Sequence, residues 1–252
     1  MFCCFFERLC TMNTAIVTGA SGDIGKEICK KFLSEGYRVV ACYLNNEASA
    51  KELENAYGKD RVLAIKADIS KAEDVDSIYK NAQDTFGSID VVVNNAAVAL
   101  KGLIQDTTPK ELDDICNINI KGTYLMCSIG VKYMVANHRG SIVNISSMWG
   151  EVGASCEVAY SMTKSAVIGL TKALAKEVGP CGIRVNCVSP GLIDTRMNSC
   201  YTKEDLDAIC DETPLMRIGT PCDVADAVWY LSSDASSFVT GQVLGVNGGF
   251  VI

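Results

Sequence analysis

Tyr160 and Lys164 stand four residues apart in a stretch of helical periodicity, so both side chains project from one helix face. A cation held beside a phenol favours the phenolate and draws its pKa below the ordinary value of about 10. A tyrosine tuned in this way serves as a general acid near neutral pH. Ser147 lies just past the end of a β-branched run, where its hydroxyl can hold a carbonyl oxygen. Ser146 competes for that role, and the spacing to Tyr160 favours Ser147. Asn119, in Asn119-Ile-Lys-Gly122, can anchor a water that passes protons to Lys164. A tyrosine and a lysine at this spacing are by themselves an ordinary solvated helix face. The ordered set Asn119, Ser147, Tyr160 and Lys164 is what points to proton transfer at a carbonyl. Cys156 and Trp149 lie between Ser147 and Tyr160, and His138, the only histidine, is expected on an exposed turn with no chemistry assigned.

A second cluster falls near the start of the chain. Thr18-Gly-Ala-Ser-Gly-Asp-Ile-Gly25 follows an apolar run and opens a helical segment. Glycines there let backbone approach a pyrophosphate, and the helix N-terminus offers free N–H groups and a positive dipole end. Asp23 places a carboxylate near those phosphates, which weakens binding unless the side chain turns away to cap the helix. An acid at the end of the second strand would bond the adenosine ribose and favour NAD. The segment Ala41-Cys-Tyr-Leu-Asn-Asn46 has Tyr43 at that place. The missing repulsion favours NADP(H), with Ser21, Asn45 and Asn46 available to a 2′-phosphate and no arginine nearby; NAD(H) stays possible.

These residues need a scaffold, and the chain alternates strands and helices from end to end. Buried strands are expected at Ala15–Thr18, Arg38–Tyr43, Val62–Lys66, Val91–Asn94, Ser141–Ile145, Ile183–Val188 and Val243–Val246. Capping boxes are read at Ser70/Glu73, Thr108/Glu111 and Thr220/Asp223. Long helices are read at about Glu111–Asn137 and Ala159–Val178, their broad apolar surface leaving more than one face to bury. The pattern implies an α/β fold, one doubly wound parallel sheet with helices on both faces, in a single domain over residues 12–252.

Of 252 residues, 48% are hydrophobic, enough for a large core, and the formal charge of −7 argues against a nucleic-acid face. No apolar run reaches transmembrane length, so no membrane role is expected. The thirteen cysteines form no C-x-x-C pair and sit beside a single histidine. They read as reduced thiols of a cytoplasmic protein, with neither a disulfide framework nor a metal site. Residues 1–11 read as a loose arm outside the core, with Met12 the expected natural start; a lipidated or membrane-touching arm is the alternative.

Thr18–Gly25 resembles the TGxxxGxG signature of the short-chain dehydrogenase/reductase family, with Asp23 where the middle glycine is usual. Asn94-Asn-Ala-Ala97 resembles its NNAG motif, and Asn119, Ser147, Tyr160 and Lys164 resemble its tetrad. Ser189-Pro-Gly191 through Thr195 resembles its PG motif, and Thr240-Gly-Gln and Val246-Asn-Gly-Gly249 its terminal strand region. The resemblance runs from Met12 over nearly the whole chain. It implies a Rossmann-type fold and hydride transfer between a nicotinamide and a ketone or alcohol. It implies a dinucleotide lying against Gly19, Ser21, Asp23, Ile24, Gly25, Tyr43, Asn45, Asp68, Asn95, Tyr160, Lys164, Pro190, Gly191 and Thr195. Asp68 would contact the adenine and Thr195 the carboxamide, while Trp149, Cys156 and Met197 would border the substrate. The whole chain resembles 3-oxoacyl-[acyl-carrier-protein] reductases. The segment 146–157 resembles the group that reduces 5-aminopentanone on elongation factor P. A free small ketone such as a steroid or sugar is a third substrate class, and a non-catalytic dinucleotide sensor a reading of another kind. Family resemblance also implies a homotetramer.

Overall fold

The computed structural model describes residues 12–199 and 201–252, so the expected arm at 1–11 lies outside the described residues. Seven strands are present among the described residues: β1 Thr14–Thr18, β2 Arg38–Tyr43, β3 Val62–Lys66, β4 Val91–Asn94, β5 Gly140–Ile145, β6 Ile183–Pro190 and β7 Val243–Val246. They pair in parallel in the order β3-β2-β1-β4-β5-β6-β7. The order reverses between β1 and β4, which opens a crevice at the carboxyl ends of these strands.

Alternate residues of the central strands enter two separate cores. Ala15, Val17, Val91, Val93 and Val143 face one side, against Ile28, Phe32 and Leu33 of α1 (Asp23–Ser34) and Val224, Val228 and Leu231 of α9 (Pro221–Ser232). Ile16, Val40, Val92 and Ile142 face the other, against Ile78, Tyr79 and Ala82 of α3 (Ala72–Phe86) and Met126 and Met134 of α5 (Thr123–Asn137). Ala175 and Val178 of α7 (Val158–Val178) join that second core. Both faces being covered explains why these strands read as unbroken apolar runs. Helix α2 (Glu47–Tyr57) precedes β3, and α8 (Lys203–Glu212) precedes α9.

The caps are formed largely as read. Thr108 and Glu111 close a capping box on α4 (Pro109–Cys116), and Thr220 and Asp223 close one on α9. A third, Thr202 with Asp205 on α8, was not anticipated. The Ser70/Glu73 box is absent. Helix α3 begins after Lys71 with no side-chain cap, because Asp68 takes both the Ser70 hydroxyl, at 2.7 Å, and its N–H, at 3.0 Å. The helix expected from Glu111 starts at Pro109 and is interrupted. A π-helical run at Asn117–Gly122 joins α4 to α5. Among the described residues, no helix is long and apolar enough to cross a membrane, and no cluster of His, Cys, Asp or Glu could hold a metal ion.

Candidate active site

The crevice is a cavity of about 600 Å³ bounded by the loops after β1, β2, β4, β5 and β6. At one end lies the glycine-rich turn. Gly19 takes φ +66°, and a Cβ there would meet Ala96 Cα at 2.9 Å. A Cβ on Gly25 would lie 2.2 Å from the Gly19 carbonyl oxygen, so only glycine lets the start of α1 close onto the turn. Asn95 braces the same turn, its Nδ2 donating to the Thr18 and Gly19 carbonyls at 2.9 and 3.3 Å. The first turn of α1 has Gly22 as N-cap and no side-chain cap. Bare N–H groups beside a close-approach glycine turn suit the pyrophosphate of a dinucleotide.

Asp23 does not turn away to cap the helix; its side chain stays at the cavity. Its carboxylate is held by Arg196, whose Nε reaches Oδ1 at 2.9 Å and whose backbone N–H reaches Oδ2 at 2.8 Å. Arg196 also donates from its guanidinium to the Ser21 carbonyl, at 3.1 Å. The sequence reading missed this pair because its members lie on opposite sides of the crevice, far apart in the chain. Ser21, Ile24, Tyr43, Asn45, Asp68, Pro190, Gly191, Thr195 and Met197 all line the cavity, as does Trp149. Asn46 lines it too, but its side-chain oxygen accepts from Ser49 N–H at 3.2 Å as the cap of α2. The Asp68 carboxyl is held below its usual range chiefly by the Ser70 hydroxyl. Cys156 is not brought to the cavity wall. It is exposed, with φ +61°, and its carbonyl accepts from Gly102 N–H at 2.8 Å. His138 caps α5 in the left-handed conformation and is exposed, as expected.

At the other end, β5 and α7 bring Ser147, Tyr160 and Lys164 together. Ser147 caps the short helix α6 (Met148–Val152), accepting from Trp149 N–H at 3.2 Å, and lines the cavity together with Tyr160. Ser146 also lines the cavity, but its hydroxyl donates to the Lys164 carbonyl at 2.9 Å. A Cβ on Gly150 would strike that same stretch of α7 backbone at 2.8 Å, so this glycine sets how closely α6 and α7 approach. Lys164 is buried, with Nζ donating to the Ile145 carbonyl at 2.9 Å and lying 5.7 Å from the centroid of the Tyr160 ring.

The electrostatics differ from the expectation. Burial pushes the Tyr160 phenol up to about 12, the Ser147 hydroxyl opposing and Glu157 adding to the rise. Burial likewise lowers Lys164 to about 8. The ammonium points at the Ile145 carbonyl beneath the ring rather than at the phenol oxygen, so desolvation outweighs its pull. Tyr160 is therefore a fully protonated acid at neutral pH, beside a lysine that retains its proton only narrowly.

Asn119 sits in the π run, buried, and does not touch Lys164. Its amide donates to the Val98 carbonyl at 2.9 Å and to Thr163 Oγ1 at 3.1 Å, while its oxygen accepts from Val98 N–H at 2.9 Å. It pins the loop after β4 to the residue preceding Lys164. The sequence reading also missed Glu157 and Lys101, which line the cavity with a carboxylate-to-ammonium separation of 4.0 Å.

Residues 19–251 match the family described as enoyl-(acyl carrier protein) reductase. An uncharacterized oxidoreductase of Bacillus subtilis, YmfI, is 38% identical over 240 residues, covering 94% of this chain and 98% of its own. The 3-oxoacyl-[acyl-carrier-protein] reductase FabG of Chlamydia trachomatis is also 38% identical, over 94% of this chain and 96% of its own. The crystal structure of a Brucella melitensis 3-ketoacyl-(acyl-carrier-protein) reductase complexed with NADH superposes with a TM-score of 0.89. It is 32% identical and covers 95% of this chain and 98% of its own. The chain belongs to the short-chain dehydrogenase/reductase family and is an NAD(P)-dependent oxidoreductase.

Proposed function

We propose that this protein is a cytoplasmic, NADPH-dependent ketone reductase of the 3-oxoacyl-[acyl-carrier-protein] reductase kind, its domain spanning residues 12–252. The observation that carries this reading is one cavity with a bare helix N-terminus at one end and Ser147, Tyr160 and Lys164 at the other. The bound nicotinamide supplies the hydride. Ser147 and Tyr160, which line the cavity together, receive the carbonyl oxygen between their hydroxyls. Tyr160 gives its proton to that oxygen, and the buried Lys164 cation offsets the charge left on the phenolate. Asn119 acts by position, holding the loop at Val98 against Thr163.

NADPH is favoured over NADH because no carboxylate stands among Cys42, Tyr43, Leu44, Asn45 and Asn46, which line the ribose end. With Asn46 spent on capping, Asn45 and Ser21 are left for the 2′-phosphate. Comparing kcat/KM for the two cofactors tests this, and a preference for NADH would refute it. The nine described cysteines are all unpaired, which supports a reducing compartment.

One feature favours a second substrate class. Glu157 is 9% exposed, lines the cavity, and carries a carboxyl raised by burial and lowered by Lys101. An amine-bearing ketone, such as the lysine-derived ketone on elongation factor P, would find a counter-charge there. The deciding experiment is a side-by-side turnover assay on a 3-oxoacyl carrier protein and on aminopentanone-modified elongation factor P. Turnover of neither, with NADPH bound, would leave a free small ketone as the substrate or a dinucleotide-sensing role, which turnover of a generic small ketone separates.

A further inference from the structure

We infer that Arg196 is a cofactor-affinity determinant that acts by neutralising Asp23, so that dinucleotide affinity follows the net charge of this pair. The inference rests on the dinucleotide reading of the crevice. Asp23 is the first residue of α1, at the helix end where the pyrophosphate would lie. A lone carboxylate there opposes an anionic ligand through both its charge and its position on the dipole. Arg196 comes from the far wall, one residue beyond Thr195, and engages both carboxylate oxygens as well as the Ser21 carbonyl. Both residues line the cavity, so neither charge is remote from the ligand.

A purely structural brace is the competing explanation, and the two differ in sign. The side chains are 31% and 66% exposed, and a surface ion pair of this kind adds little to stability. If the pair were only a brace, breaking it from either end would weaken binding. Under charge compensation, Arg196→Gln leaves a bare carboxylate and weakens binding, whereas Asp23→Asn leaves a bare guanidinium and tightens it. Removing both charges restores neutrality. Arg196 thus acts on affinity through Asp23 and is a positioning residue, with no part in the proton transfer.

The test is the Kd for NADPH of the full chain, read by nucleotide fluorescence for the wild type, R196Q, D23N and the double variant. The expected result is a weakening of about tenfold for R196Q, the worth of one partly screened charge contact. D23N tightens binding several-fold, and the double variant lies within about twofold of the wild type. Raising the salt concentration draws all four values together. Weakening by both single variants, or a double variant as weak as R196Q, overturns the inference. D23N is nearly isosteric, so its sign alone decides the matter if R196Q does not fold. A wild type that binds neither NADPH nor NADH refutes the dinucleotide reading itself, a result distinct from either of those.

Discussion

Replacing Lys164 with methionine should make the protein more stable at neutral pH while abolishing turnover. The ammonium is 3% exposed and its pKa falls from 10.5 to about 8 on folding. At 1.36 kcal/mol per unit, holding that charge in the fold costs about 3 kcal/mol near pH 7. Loss of the bond to Ile145 returns part of this, leaving a net gain of roughly 1–2 kcal/mol for Lys164→Met. The folded pKa lies below the unfolded one. Between pH 8 and 10.5 the unfolded chain therefore binds a proton that the folded chain has released. Wild-type stability rises relative to the variant across that window, and the penalty is fully present below it. Urea denaturation of both proteins, near pH 7 and again near pH 10, reads the difference, and the titrating groups that do not interact with Lys164 cancel. A variant no more stable than the wild type near pH 7, or a gap that does not change with pH, would refute the argument that burial sets the lysine's charge.

Tyr160→Phe should retain NADPH binding and lose about 10²- to 10⁴-fold in kcat, the range for a general acid; near-wild-type turnover would exclude Tyr160 from proton donation. Reductive kcat/KM should fall as pH rises through about 8, where Lys164 loses its proton, long before Tyr160 titrates near 12. A profile flat to pH 10 would show that the lysine charge is not needed. Light scattering at micromolar concentration should give a tetramer. Leu112 and Tyr124 of the α4–α5 segment and Met162 of α7 are exposed apolar residues, and Phe238 is fully exposed; a monomer mass with full activity would remove this expectation.

The strands were legible almost to the residue, since burial on both faces writes a contiguous apolar run for each. Spacing favoured Ser147 over Ser146, and the structure ties the Ser146 hydroxyl to the α7 backbone. What was illegible is of three physical kinds. The pull of Lys164 on Tyr160 was read from a spacing of four, which says nothing of desolvation, and desolvation decides the sign. The Asp23–Arg196 pair joins distant segments that only the sheet brings together. The Ser70 cap failed to a local competitor, Asp68, two residues upstream.

The π run at Asn117–Gly122 has a consequence for how the chain tolerates change in length. A π turn carries one residue more than an α turn. Deleting a single residue from it would leave a regular helix with no break to show for the loss. Each residue of an α-helix turns the chain by about 100°, and the wider π turn already absorbs that rotation, so the segments on either side of the deletion would keep nearly the same facing and only the bulge would be lost. Met126 and Met134, both fully buried in the regular helix that follows, would stay on the sheet, whereas Asn119, inside the run, would lose its aim at Val98 and Thr163. A one-residue deletion here should therefore spare the packing of the flanking helices and cost the bracing that Asn119 gives the loop after β4. The extra residue lets one continuous rod point a polar amide at the site while its apolar stripe stays on the core.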